Sequence, residues 1–398
     1  MPLRRVVVVI VLAGLGGCVD FPREEVIEDL RVLAVRTEPA EVLYSSLYLL
    51  PEEERPSSLP SVILNVEVFA FDPRGGLVTE RLHLCPSVEE PVGIDTGGTV
   101  PVEVTSPIAG DGADPDGALC SPAPDAEGPF GPLEQEVFVE PTGLDPLGRI
   151  PGLIHSLALG PDVMERLVPN AAASPLLAYA PAQPRLVLSL DNGSMAGPPA
   201  LALKRVPFSL DIVDAILHGV SLEGLIADPP LGVCDLSDEK DLAPGRARCL
   251  LLRLPNANPP LVGFQRYEDI PPAGVATVEP GSEDLPLGET LVVAPGEALN
   301  LAPAFLEGAL ELYQTLIFEP ERERFRLYTV LEDPVASYYV TSGSLRVQDA
   351  SLTLHQNLGT VWTLPSSRRA GERDALVVVV RDQRGGTAVG QLTVVYAP

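Results

Sequence analysis

Leu376-Val-Val-Val-Val-Arg-Asp382-Gln-Arg-Gly-Gly386 and Val66-Glu-Val-Phe-Ala-Phe-Asp72-Pro-Arg-Gly-Gly76 are the two stretches from which the fold is read. Each joins a run of β-branched or aromatic residues to an aspartate and two glycines. An aspartate carboxylate accepts hydrogen bonds from backbone N–H groups just ahead of it, and glycine adopts positive φ without strain, so both stretches read as a strand followed by a tight turn. Apolar residues resume beyond each turn, with a leucine ten positions after the aspartate, at Leu82 and Leu392. Two β-hairpins are expected, with Asp72, Gly75 and Gly76 forming one turn and Asp382, Gly385 and Gly386 the other. A shared turn chemistry, or descent of two related modules, would account for the match.

Working outward, the chain holds 43 prolines and 35 glycines in 398 residues, a density that cuts helices short and favours strands and turns. Short Val-, Leu- and Ile-rich runs bounded by Pro, Gly or Asp recur at 30–35, 62–71, 77–84, 136–139, 185–190 and 200–210. They recur again at 250–254, 261–267, 290–293, 326–331, 337–341, 352–355, 361–364, 376–381 and 389–396. The fold class is therefore all-β, two β-sandwiches of immunoglobulin type, with one or two short helices in the connections. The first sandwich is assigned to 29–210, a connector to 211–247 and the second sandwich to 248–398. Within the first, 86–132 is a long loop rich in Gly, Pro, Asp and Ser. Helical spacing is present at Ile212, Ile216 and Val220, and at Phe305, Ala309 and Leu316, where Pro303 would start a helix over 304–316.

The N-terminus carries Arg4 and Arg5, an apolar stretch from Val6 to Leu15, and then Gly16-Gly17-Cys18. About ten apolar residues are too few to cross a bilayer as a helix, which takes roughly twenty, so 1–17 read as a cleaved export signal. The run Leu15-Gly-Gly-Cys18 resembles a bacterial lipobox. That resemblance implies lipidation of Cys18, which would begin the mature chain, with 18–28 as a short tether. By the same resemblance, the absence of aspartate directly after the cysteine (Val19, with Asp20 one later) implies the outer membrane of a Gram-negative cell. An export route also suits the remaining cysteines. Cys85, Cys120, Cys234 and Cys249 are even in number, and of three possible connectivities the sequence-local one, Cys85 with Cys120 and Cys234 with Cys249, is favoured.

Loss of Arg4 and Arg5 takes the net charge from −28 to −30. So acidic a chain, with its basic residues grouped at most in pairs, excludes nucleic acid as a partner. The four histidines, His83, His155, His218 and His355, are scattered, and no zinc signature, nucleophile elbow or phosphate-binding loop is present. Asp111-Gly-Ala-Asp-Pro-Asp116-Gly117 is the one run that would suit Ca²⁺, yet Ala123 stands where a calcium loop needs glutamate. Trp362 sits in a strand signal and is expected in a core.

The segments Leu30-Arg-Val-Leu-Ala-Val-Arg-Thr-Glu-Pro39, Pro255-Asn-Ala-Asn-Pro259 and 377–386 resemble those of bacterial outer-membrane lipoproteins with immunoglobulin-like or cadherin-like domains. The resemblance implies a fold and a location and carries over no catalytic residues. The function expected is that of a non-catalytic, lipid-anchored envelope protein that binds or scaffolds a protein or polymer partner, without a cofactor. An enzyme or accessory subunit acting on envelope glycans, its carboxylates drawn from distant strands, is the alternative. A calcium-dependent adhesin is a third.

Overall fold

A computed structural model describes residues 25–50, 52–85, 133–139, 147–161, 163–164, 182–193, 199–218, 232–251, 255–269, 282–306, 310–319 and 324–398. The architecture is all-β. The first sandwich is built from β1 (Arg31–Glu38), β2 (Val42–Tyr44), β3 (Val62–Phe71), β4 (Gly76–Cys85), β5 (Leu133–Val139), β6 (Ile154–Leu159), β7 (Arg185–Asp191), β8 (Ala200–Arg205) and β9 (Phe208–Leu210). One sheet runs β1-β3-β6 and the other β5-β4-β7-β8, all antiparallel, while β2 pairs in parallel with β9. Alternate residues of β3 and β4, among them Leu64, Val66, Val78 and Leu82, meet between the sheets.

Helix α1 (Ile212–Leu217), helix α2 (Glu239–Leu242) and β10 (Gly245–Arg246) follow. The second sandwich comprises β11 (Leu261–Tyr267), β12 (Glu283–Pro286), β13 (Thr290–Val293), β14 (Ala298–Phe305), β17 (Val335–Val340), β18 (Ser344–Leu345), β19 (Asp349–Ser351), β20 (Thr360–Thr363), β21 (Arg373–Arg381) and β22 (Thr387–Tyr396), while β15 (Leu312–Glu319) and β16 (Arg324–Leu331) form a separate sheet with β10, from which Leu327 joins the first core. A helical turn, α3 (Leu352–His355), lies between β19 and β20. The sheets are β12-β11-β14-β20-β18 and β13-β22-β21-β17-β19, with β13 parallel to β22. In both sandwiches an early short strand lies parallel to the last strand, an arrangement of immunoglobulin type. Trp362 fills the second core and donates its indole N–H to the Ser342 carbonyl at 2.9 Å.

Three expectations fail. The described residues of 304–316 are not helical: Phe305 closes β14, and Leu312 opens a hairpin in which β15 pairs with β16 and β10 borders β16. Pro303 is tolerated because β20 pairs with β14 only from Ala298 to Leu301, so no partner strand on that side needs its missing N–H. At 352–355 the chain turns as α3 where a strand was expected; of the run expected at 250–254, residues 252–254 lie outside the described residues, and Leu250 forms an isolated bridge to Val233. Finally, the Asp72 turn is no hairpin. β3 belongs to one sheet and β4 to the other, so this turn carries the chain across the sandwich, whereas the Asp382 turn does join the paired strands β21 and β22. The two motifs occupy non-equivalent places in two domains of like topology. Shared turn chemistry explains their likeness, and module descent does not.

The sandwiches pack face to face. Strand β21 is buried from Asp374 to Val380: Leu376, Val378 and Val380 enter the second core, while Ala375, Val377 and Val379 meet Leu33, Ala34, Phe69 and Phe71 on the outer face of β1 and β3. Ahead of β1, the Ile27 N–H donates to the Val340 carbonyl at 2.9 Å and the Val340 N–H to the Glu25 carbonyl at 2.8 Å. Farther on, Arg381 donates to the Leu33 carbonyl at 3.0 Å. Burying Val377 and Val379 contributes roughly 1.5–3 kcal/mol each. Val379→Asp is expected to resolve thermal unfolding into two transitions, whereas Val378→Ala, which opens a cavity inside one core, is expected to lower a single transition by about 2 kcal/mol. Differential scanning calorimetry distinguishes the two.

Candidate functional site

Cys18 and Cys120 lie outside the described residues, as does the acidic run 111–117. Cys85 is disulfide-bonded. Cys234 and Cys249 are joined, with Cα atoms 4.9 Å apart, and their strand-like segments exchange hydrogen bonds between Cys234 and Leu250 and between Leu250 and Gly232. Among the described residues no group of three His, Cys, Asp or Glu side chains gathers as a metal site, and no helix is long and apolar enough to cross a membrane.

Both turn aspartates are buried caps. One Asp72 oxygen accepts the Arg74 N–H at 3.0 Å and the other the Asn192 amide at 2.9 Å, while Gly75 and Gly76 have φ of 66° and 124°. Arg74 stays half exposed against Asp29. Asp382 accepts the N–H groups of Arg384 and Gly386 at 2.8 and 2.7 Å and the Asn256 amide at 3.1–3.2 Å. Gly385 takes φ 98°, and a side chain on Gly386 would run into the Asp382 carboxylate and the Ala257 carbonyl.

Unlike Arg74, Arg384 is buried, and around it the domains exchange charges. Its guanidinium meets Glu41 at 2.8 Å, Glu311 at 3.1 Å and Glu332 at 3.7 Å, and lies over the Tyr313 ring. Glu41 also accepts from Ser209 and from the Asn256 N–H. Lys204, from β8, donates to the Gly385 carbonyl and to Thr387. Burial pushes the Glu332 carboxyl up to about 8, with the neighbouring Asp382 charge adding to the shift. Burial likewise lowers the Lys204 ammonium to about 8, partly opposed by Asp382. Sequence reading quoted Asn256 and Arg384 inside motifs but found no sign of Glu41, Lys204 or Glu332, which come from separate strands and loops.

A second constellation opens to solvent. A cleft of about 200 Å³ lies where β2 and the turn after it face α1, with an apolar wall of Leu43, Tyr48, Pro60, Val62 and Met164. Tyr44, Ser45, Asp211 and Asp214 complete its lining. Asp214 accepts the Ser45 hydroxyl at 2.8 Å and, at 2.6–2.7 Å, the N–H and hydroxyl of Ser46; His218 Nδ1 lies 3.2 Å away. Burial raises the Asp214 carboxyl, but these hydrogen bonds prevail and hold it below its ordinary range. The Ser46 side chain is buried and its proton goes to Asp214, so this Ser, His and Asp do not form a nucleophile relay. Tyr44 is 2% exposed, and its hydroxyl has no hydrogen-bond partner among the described residues. No protein-family model and no curated protein matches the chain.

Two outcomes follow from the interdomain cluster. Arg384→Ala leaves Glu41 buried without its cation and is expected to cost about 3 kcal/mol in denaturant unfolding. Because folded Glu332 holds a proton that the unfolded chain releases near its ordinary value of 4.5, stability is lost as pH rises from there to about 8. Glu332→Gln therefore gains melting temperature over wild type progressively across that window and little at its acid end, as thermal scans at stepped pH will read.

Proposed function

We propose that this protein is a lipid-anchored component of the Gram-negative outer membrane whose two joined sandwiches serve as a non-catalytic binding or scaffolding body. The lipobox Leu15-Gly-Gly-Cys18 carries this reading. Six residues lie between Cys18 and Glu25, a reach over seven peptide steps of at most about 25 Å, so an acylated Cys18 would hold the paired sandwiches close to the bilayer. The disulfide between Cys234 and Cys249 accords with an oxidising compartment. A body rigidified by face-to-face packing suits presentation of fixed surfaces better than a hinge-dependent reaction. The partner class that fits is an envelope protein or polymer.

Metabolic labelling with an alkyne fatty acid, followed by membrane fractionation, tests the reading. Wild type is expected to take up label and sediment with outer membrane, and Cys18→Ala to lose both. Unlabelled wild type, or a Cys18→Ala variant that still fractionates with the membrane, would overturn it.

A further inference from the structure

We infer that one loop end of the second sandwich, formed by the turns 294–297, 341–343 and 365–372, is the surface that this protein lays on phospholipid headgroups. The orientation rests on acylation of Cys18, and it fixes which face of the anchored body meets the bilayer.

The place where the tether joins the fold selects this end. The Val340 N–H donates to the Glu25 carbonyl at 2.8 Å and the Ile27 N–H to the Val340 carbonyl at 2.9 Å, so the residues that follow the tether are fixed to the last residue of β17. Backbone bonds gather the turns around that point: Thr341 N–H to the Ala375 carbonyl at 3.0 Å, Leu364 N–H to that of Glu297 and Gly371 N–H to that of Tyr396, both at 2.9 Å. From there the chain climbs along β21. Val340 lies opposite Leu376, whereas the Leu33 carbonyl meets Arg381 and Glu41 meets Arg384 at the other end of the strand. Nine residues of β21 span about 30 Å. The first sandwich is thereby carried away from the tether, and an anchor that reaches at most about 25 Å brings the loop end to the bilayer first.

The chemistry of that end suits phosphate. In a chain of net charge −28, residues 365–371 hold two arginines and no acid. Ser366, Ser367 and Arg369 are exposed. The acids that border the turn are engaged: Asp374 is buried against Arg368 and the Tyr396 hydroxyl, and Glu372 accepts the Arg369 N–H at 3.0 Å. The Arg369 guanidinium makes no ion pair among the described residues, so its fork of donors is open to a headgroup phosphate, with two serine hydroxyls beside it. One arginine near a leaflet surface shifts an equilibrium by about fivefold, enough to orient a tethered body and too little to bind it alone. At the opposite end of β21, Arg384 is buried and spent on Glu41.

The test uses full-length acylated protein in vesicles of phosphatidylethanolamine and phosphatidylglycerol doped with a headgroup spin label. A fluorophore is attached through Ser367→Cys at the loop end, or through Ser58→Cys, an exposed position ahead of β3 in the first sandwich. Quenching is expected at Ser367 and not at Ser58, and Arg369→Gln is expected to shift the Ser367 population toward the unquenched state by about fivefold with the melting temperature retained. Acylated, vesicle-bound protein quenched equally at both positions or more strongly at Ser58, or a Ser367 signal that Arg369→Gln leaves unchanged, would overturn headgroup docking at this end while the anchor stands. Protein recovered without an acyl chain would overturn the anchor, and the orientation with it.

Discussion

A strand that is apolar on both faces has to be covered twice. In β21 the run Ala375 to Val380 points alternate side chains into opposite layers, and only one of these is supplied by its own sandwich. The other comes from Leu33, Phe69 and Phe71, some 300 residues earlier in the chain. With about 25 cal/mol recovered per Å² of apolar surface covered, the valines of the outer face supply a driving force that no surface ion pair matches. The pairing of the two domains is thus written into a single strand.

The charged cluster at the end of that strand has a different role. Buried ion pairs barely offset the cost of desolvating them, so the contacts of Arg384 do not drive the association. What they do is penalise misalignment, because a sliding of one face over the other would strand Glu41 and Arg384 apart in an apolar seam. Protonation lightens the charge load. With Glu332 protonated near neutrality, Arg384 is left to answer Glu41 and the part-exposed Glu311, while Lys204 offsets Asp382. Gln383 adds a bond from the Tyr313 hydroxyl, at the position where the other turn has Pro73.

Much of the fold was legible because strands announce themselves locally. Alternation in β3 and β4, the valine run of β21 and the caps at Asp72 and Asp382 each depend on residues a few positions apart. The placement of the two turns was not legible: identical Asp-x-Arg-Gly-Gly chemistry suits a crossover and a hairpin equally, and only pairing partners decide between them. The expected helix at 304–316 failed for a related reason, since Phe305 and Leu312 satisfy both periodicities and Pro303 is harmless at an unpaired strand margin. Long separation hid the rest. Glu41 and Arg384 are 343 positions apart, and Ser45 and Asp214 are 169 apart, distances at which one sequence carries no pairing signal.

Two of the buried polar atoms that lack a hydrogen-bond partner among the described residues belong to the seam, and another belongs to the first core. Asn256 Oδ1 and Glu332 Oε1 lie in the seam, amid charges whose field compensates them in part. Tyr44 has no such company: its side chain packs in the first core, among apolar residues. Replacing that tyrosine with phenylalanine would keep the packing and remove the cost, so packing alone does not account for the hydroxyl. A fold braced by a double-faced strand tolerates such a group at a cost of about 1–3 kcal/mol.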